Sequence, residues 1–425
     1  MNTKVKSSHA SYTGWMVWAL GCLFYFYENF LQVSPSVMSE ELMRDFAVTS
    51  HTLGILSGVY FYSYAALQLP CGILMDYFGP KRILFIATAI CALSTIAFGT
   101  TEHFVMACMA RLMIGFGSAF AAVGSMKLAS NWFKADKFPL LTGMMVTVGM
   151  LGGICGETPQ AMMVDHLGWR HVMTYMGVLG LLLAFVIYLV VKDSPHAAQK
   201  SQRSTHQRSL TEGLLEIIKN GQLWLVACYG GLIYMCTPVF CGLWGVPFLM
   251  LKLAISKASA ANAISLVLIG WALASPLWGI YTNYLGRRKP ALMLSAIGSL
   301  LCLSLVIYVP IHLWQTEVVL FIFGIFSAGF LPAFSIANDM CHKSYVATGL
   351  SFMNMMNMIG IALVQPLVGY ILDMLWDGRL QQGIRVYSLE AYQQALSLLP
   401  LGAFVALCLL FFIREVDVNQ HVQST

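Results

Sequence analysis

Few residues in this chain could do chemistry, and four charged ones stand inside long apolar runs: Glu28, Arg111, Lys127 and Glu157. At a bilayer centre such a group costs at least ~2.5–3.5 kcal/mol on insertion scales, so it normally faces a cavity or a partner. Lys127 lies about one helical turn from the polar stretch "NWFKADK" and can snorkel to the surface. Glu28 sits deeper, in "YFYENFLQVSPS", where Tyr25, Glu28, Asn29 and Gln32 share one broad helical face. Tyr60, Tyr64 and Gln68 recur every fourth residue and form a second polar stripe. Carboxyl, amide and phenol groups on such faces suit proton binding and the passage of a small polar solute. No nucleotide-binding loop, nucleophile triad or metal-ligand spacing accompanies them. Enzymatic chemistry, ATP-driven pumping, cofactors and metals are therefore not expected.

The elements that must position these residues follow from composition. Of 425 residues, 58% are hydrophobic and 10% charged, with a mean hydropathy of +0.72. Soluble domains carry about 25% charged residues, so this chain cannot cover a water-facing surface of its size. Apolar runs of ~20 residues recur, each long enough to cross a ~30 Å hydrocarbon core, and strand-like alternation is absent. An all-α polytopic membrane protein is expected, with spans at 13–34, 51–75, 83–101, 104–130, 138–161, 171–192, 222–250, 257–281, 290–310, 315–337, 345–372 and 390–413. The polar N-terminus and full-length first run read as a retained span rather than a signal peptide. The 11 cysteines are scattered without a CxxC pair, as packing residues.

Most of the 24 Lys and Arg fall in the tails and in loops after even-numbered spans, and the other side holds Arg44, Arg170, Lys252, Lys257, Arg379 and Arg385. Both termini are therefore expected in the cytoplasm. The net charge of +5 reflects that loop bias and implies no nucleic-acid partner. Residues 193–221 break the pattern with a basic stretch and then an amphipathic "LTEGLLEIIKN". They read as a cytoplasmic linker between an N-terminal six-helix half (1–192) and a C-terminal one (222–425). A repeat supports the division: "GILMDYFGPKR" from Gly72 is echoed by "GIYTNYLGRRK" from Gly279, an offset of 207, and "LTGMM" around Gly143 by "ATGLS" around Gly349, an offset of 206.

Twelve spans, a basic central loop and this repeat resemble the major facilitator superfamily along almost the whole chain. Gly72, Leu74, Asp76, Gly79, Lys81 and Arg82 match its signature between spans two and three. "RLMIGFGSA" from Arg111 is similar to its fourth-span signature, and "GWR" at Gly168 to Arg170 is a common element after span five. The second loop copy departs from the pattern, with Asn283 in the acidic position beside Gly286 and Arg287. Gly149, Gly152, Gly153 and Gly156 lack the proline of the antiporter signature, which speaks against drug antiport. "FYENFLQVSPSVM", "YFYSYAALQLPCGILMD" and "VTVGMLGGICGETPQAMM" are similar to bacterial phagosomal-transporter-type members, importers of amino acids and nucleosides with siderophore-linked relatives nearby.

The resemblance implies two pseudo-symmetric six-helix halves around a central cavity, with spans one and four lining the first half of it. Glu28 and Arg111 then lie at equal depth, roughly 10 Å below the outer surface, and an ion pair is expected, either proton-dependent or permanently structural. Glu157 is the rival partner. The C-terminal half offers only neutral groups: Tyr234, Thr237, Trp244, Asn354, Asn357 and Gln365. These are candidates for solute selection, with simple packing or helix glue as the alternative. Gly72, Asp76, Gly79, Lys81, Arg82, Asn283, Gly286 and Arg287 are implied to form the cytoplasmic gate. The expected function is a proton-coupled importer of a small polar nutrient, amino acids ahead of nucleosides, acting as a monomer in a bacterial inner membrane. The alternative is an exporter or facilitator of a siderophore, drug or other organic solute.

Overall fold

The computed structural model describes residues 12–134, 137–192, 210–341, 346–381 and 383–415. Ten helical segments among them are long and apolar enough to cross a bilayer: Pro80–Thr100, Phe104–Trp132, Leu140–Leu167, Trp169–Val190, Gly221–Leu253, Lys257–Leu285, Lys289–Tyr308, Leu313–Met340, Val346–Met374 and Leu389–Leu409. Two further helices, Tyr12–Val33 and Ser50–Phe78, are 22 and 29 residues long. They are less apolar because they carry the two polar stripes around Glu28 and Tyr60. Together these are spans one to twelve, with ends within a few residues of those expected.

Regular helix spacing conceals several breaks. Span five is interrupted at Glu157, whose backbone (φ −100°, ψ −96°) leaves the helical region. A π-segment, Phe240–Trp244, interrupts span seven. Span one continues into a 3-10 turn, Ser34–Met38, and a short helix, Ser39–Asp45. Between spans eleven and twelve, Leu380 pairs with Arg385 in a two-stranded hairpin. The amphipathic part of the linker forms the helix Leu210–Lys219, while its basic part, 193–209, lies outside the described residues.

The repeat is visible in backbone geometry. Gly79 and Gly286 end spans two and eight at φ 81° and 64°, a region a side chain would strain. Gly72 and Gly279 both face open space within the described residues. The sequence repeat thus maps onto equivalent corners of two six-helix bundles.

Glycines also set how closely span five approaches span one. A Cβ on Gly152 would lie 2.1 Å from the Phe26 carbonyl oxygen, and one on Gly156 2.8 Å from that of Phe30. Both carbonyls are backbone and cannot swing away, although at Gly156 the Val33 side chain lies nearer still, at 2.5 Å. Gly152→Ala is expected to force the helices apart, at the ~1–3 kcal/mol typical of overpacking. Size-exclusion profiles of detergent-solubilised protein test this; a wild-type profile and melting temperature would show that the crossing yields easily.

Candidate functional site

The helix of span one buries Glu28 at 3% exposure, beside the interface between the two bundles. One carboxylate oxygen, Oε1, accepts from the Tyr60 hydroxyl at 2.7 Å. The other, Oε2, accepts from Asn29 Nδ2 at 2.9 Å, and the same amide donates to the Tyr25 carbonyl one turn earlier at 2.8 Å. The polar stripe of span one and that of span two therefore meet at this carboxyl.

Arg111 does not pair with it directly. It is fully buried, donates from Nη1 to the Leu31 carbonyl at 2.8 Å, and stacks its guanidinium over the Tyr60 ring, 5.0 Å from the centroid. Its Nε and Nη2 have no hydrogen-bond partner among the described residues. The expected Glu28–Arg111 ion pair is replaced by a relay through Tyr60, which gives its hydroxyl to the acid and its ring face to the base. Equal depth along two helices fixes height only; the rotation of each helix decides what meets. Cation–π contact with a desolvated guanidinium is worth up to ~2 kcal/mol, so Tyr60 supports both partners. The close approach needs Gly115, where a Cβ would sit 2.1 Å from the Tyr60 carbonyl oxygen.

Glu157 is not a partner of Arg111 either. It is fully buried at the break in span five and accepts from Ser36 Oγ at 3.1 and 3.0 Å. The turn after span one thus joins spans one and five, helped by Ser34 Oγ donating to Gln160 Oε1 at 2.9 Å.

A cavity of about 90 Å³ lies between the halves, lined by Tyr25, Asn29 and Gln32 of span one and by Tyr234, Thr237 and Trp271 of spans seven and eight. That is about three waters' share of liquid volume. Thr237 Oγ1 has no hydrogen-bond partner among the described residues. Trp271 was not singled out from the sequence, although the 207-residue offset maps it onto Tyr64. Applying the repeat to the polar stripe of span two finds it.

Other candidates lie beside this cavity rather than in its wall. Tyr60 and Tyr64 are buried with ring centroids 6.0 Å apart. Trp244 is fully buried and donates to the Gln365 carbonyl at 3.1 Å, while Gln365 Nε2 donates to the Pro238 carbonyl at 3.2 Å. Those two hold the π-segment of span seven against span eleven. Asn354 Nδ2 crosses between halves to Gln68 Oε1 at 2.8 Å. Asn357 is buried with Oδ1 unpartnered among the described residues.

The halves are tied together at the face opposite the chain ends, the distal face. A Cβ on Gly54 would lie 2.7 Å from the Gln365 carbonyl oxygen, and one on Gly369 2.3 Å from that of Ser50, so spans two and eleven touch backbone to backbone. Asp373 caps the start of span two, accepting from the His51 N–H at 2.9 Å, from the Tyr387 hydroxyl at 2.5 Å and from Arg385 Nη1 at 3.3 Å. Burial and the bond to Asp373 push the Tyr387 phenol up to about 12, so it remains a donor at physiological pH. Lys257 of span eight bonds both Glu41 and Asp165 of the first half.

At the face carrying the chain ends, the ion pairs among the described residues join residues of one half. Asp76 pairs with Lys127, which reaches the end of the bundle as expected, and Lys81 lies over the Tyr188 ring at 5.3 Å. Arg82 is exposed, as are Asn283 and Arg287. In the second half it is Arg288, not Arg287, that makes the ion pair, with Asp339. Both pairs span 51 residues, but the 207-residue offset maps Arg288 onto Lys81 and Asp339 onto Trp132, so the second pair is not the repeat equivalent of the first. Gly72, Gly143 and Gly279 face open space within the described residues. Among the described residues, the ion pairs that join the two halves lie at the distal face.

A family model described as Major Facilitator Superfamily matches residues 17–250 and 241–424. A Cupriavidus necator protein described as a probable sulfoacetate transporter is 25% identical over 207 residues, 49% of this chain and 46% of that one. The match thus spans about half the length of that relative. The lysosomal dipeptide transporter MFSD1 of Danio rerio is 22% identical over 424 residues, covering 94% of this chain and 87% of its own. Among solved structures, an inward-facing, unoccupied bacterial homologue of the human lysosomal transporter Spinster superimposes with a TM-score of 0.76 at 14% identity, over 95% of this chain and 96% of that one. At that identity the likeness is one of fold.

Proposed function

The chain belongs to the major facilitator superfamily, and from that premise we propose that it is a proton-coupled importer of a small polar nutrient, amino acids ahead of nucleosides. The observation that carries this is Glu28, a buried carboxyl held by Tyr60 and Asn29 with no ion-pair partner within 4 Å among the described residues. A buried carboxylate without a counter-ion is costly. Either a bound proton or an ammonium group of the cargo removes that cost, and the two exclude one another. That competition links proton release to cargo binding, and it favours a cargo that carries an amine. The dipeptide named for the Danio rerio relative is of the same chemistry. Tyr234, Thr237 and Trp271 line the second-half wall with hydrogen-bonding groups and an aromatic face, suited to selecting shape.

The two terminal-face pairs, Asp76–Lys127 and Arg288–Asp339, are assigned to conformational control in the manner of a gate. The protein acts as a monomer in a bacterial inner membrane, with its termini cytoplasmic, so the distal face is the outer one. A reporter fused after Thr425 is expected to be cytoplasmic, and a periplasmic signal would remove an odd number of spans. Uptake of labelled amino acids and nucleosides by proteoliposomes, with and without an inward proton gradient, tests the reading. Amino acids should accumulate above equilibrium only with the gradient, and a protonophore should abolish it. Uptake indifferent to the gradient, or confined to another solute class, overturns it.

A further inference from the structure

A second cavity, of about 410 Å³, opens on the distal face and shares no lining residue with the central one. Its walls come from both halves: Glu40 and Met43 from the first, and Leu251, Arg385, Tyr387 and Tyr392 from the second.

Two features of these walls point to a ligand. Glu41 is held by Lys257, but its neighbour Glu40 makes no hydrogen bond or ion pair among the described residues. Partial burial, and then the adjacent Glu41, push the Glu40 carboxyl above its ordinary range against the pull of Lys257 and Arg44, while the residue stays exposed enough to meet a ligand. Arg385 gives one hydrogen bond, to Asp373, and stacks over the Trp376 ring at 4.3 Å. A guanidinium has five N–H donors, and its side chain is 34% exposed, which leaves several able to meet a carboxylate. An acid lacking a partner, a base with spare donors and a tyrosine-lined apolar wall share one space.

We propose that this cavity binds a small zwitterion, a free amino acid or dipeptide, with its ammonium at Glu40 and its carboxylate at Arg385, and that occupancy holds the distal face shut. The second clause follows from composition of the walls. Separation of the halves at this face would split the site, so a ligand bridging them binds only the closed arrangement and must shift the population toward it. The site is defined by its own residues, whichever solute the central cavity carries.

Calorimetric titration of the purified full-length protein with L-alanyl-L-alanine tests the proposal, with the N-acetylated and C-amidated dipeptides as probes lacking one charge each. Binding should persist in Glu28→Gln. It should weaken at least about tenfold in Glu40→Gln, the loss that accompanies one charge-assisted contact, and in Leu251→Trp, which narrows the cavity from its rim. Each blocked dipeptide should bind as weakly to the wild type as the parent does to Glu40→Gln. Because Glu40 has no partner to strand, the unliganded melting temperature of Glu40→Gln should match the wild type. As a second readout, the dipeptide should slow maleimide labelling of Ser265→Cys, whose native hydroxyl bonds Thr158 across the halves at 3.2 Å. No binding to the wild type, or unchanged affinity in both Glu40→Gln and Leu251→Trp, overturns the proposal. Binding lost in Glu28→Gln but kept in Glu40→Gln does so too, and assigns the ligand to the central cavity.

Discussion

Glu28→Gln should abolish proton-driven accumulation while leaving exchange of substrate between equal pools intact. Glutamine keeps the side chain's size and mimics the proton-bound carboxyl, so Tyr60 still has an acceptor at 2.7 Å. Exchange needs no net proton release, whereas accumulation does. A purely structural role predicts the opposite pattern, with both activities falling together and less folded protein recovered. The relay supplies a second discriminator. Tyr60→Phe removes the hydroxyl from Glu28 but keeps the ring under Arg111, so it should alter the pH dependence of uptake without loss of folded protein. Tyr60→Leu also removes the cation–π contact and should cost stability of up to ~2 kcal/mol. If Glu28→Gln still accumulates substrate with the wild-type pH profile, the proton site lies elsewhere, and Glu157 is next to be tested.

The other large effect is expected at Asp373. Alanine there removes the acceptor for the His51 N–H, the Tyr387 hydroxyl and Arg385 at once. Net values of ~0.5–1.5 kcal/mol for neutral donors, and more for charged ones, imply a loss of about 2–4 kcal/mol. Only the His51 bond crosses between the halves, the other two lying within the second, so about 1.5–3 kcal/mol of the loss acts on the conformational equilibrium, changing the ratio of states roughly 10- to 150-fold. Ser265→Cys, buried in the wild type, should become reactive toward an impermeant maleimide added from outside once Asp373→Ala is present. Labelling equal to that of the Ser265→Cys single variant would mean that the backbone contacts of Gly54 and Gly369 close this face without help from Asp373.

The central cavity gives a third expectation. Asn29 links Glu28 to span one through the Tyr25 carbonyl and also lines the cavity. Asn29→Ala should therefore change both apparent substrate affinity and the pH at which uptake is half-maximal. Tyr234→Phe or Trp271→Ala, which touch no charge, should change solute preference alone. A shift of the pH midpoint in Trp271→Ala would contradict the separation of charge handling from selection.

Much of this protein was legible in its residues. Twelve spans followed from run length, because a bilayer requires ~20 apolar residues per crossing and every backbone group must be satisfied within the helix. The duplicated halves followed from an offset of 207 that later reappears as a positive φ at both Gly79 and Gly286. Glu28 was legible because a charge in an apolar run is expensive enough to need a reason. What it touches was not. Depth along a helix can be counted, but the partner depends on the rotation of each helix, set by glycine contacts such as Gly115 on Tyr60. Hence Tyr60 stands between Glu28 and Arg111, Ser36 holds Glu157, and Arg288 rather than Arg287 pairs with Asp339. The distal tie at Asp373 was likewise invisible, since His51 and Asp373 are 322 residues apart and neither sits in a motif. The sequence by itself determined the membrane, the span count, the repeat and the costly carboxyl, all of which follow from local composition and period. Only the tertiary structure decided the partners and the closed face, because those arise from contacts between helices whose mutual rotation no local pattern encodes.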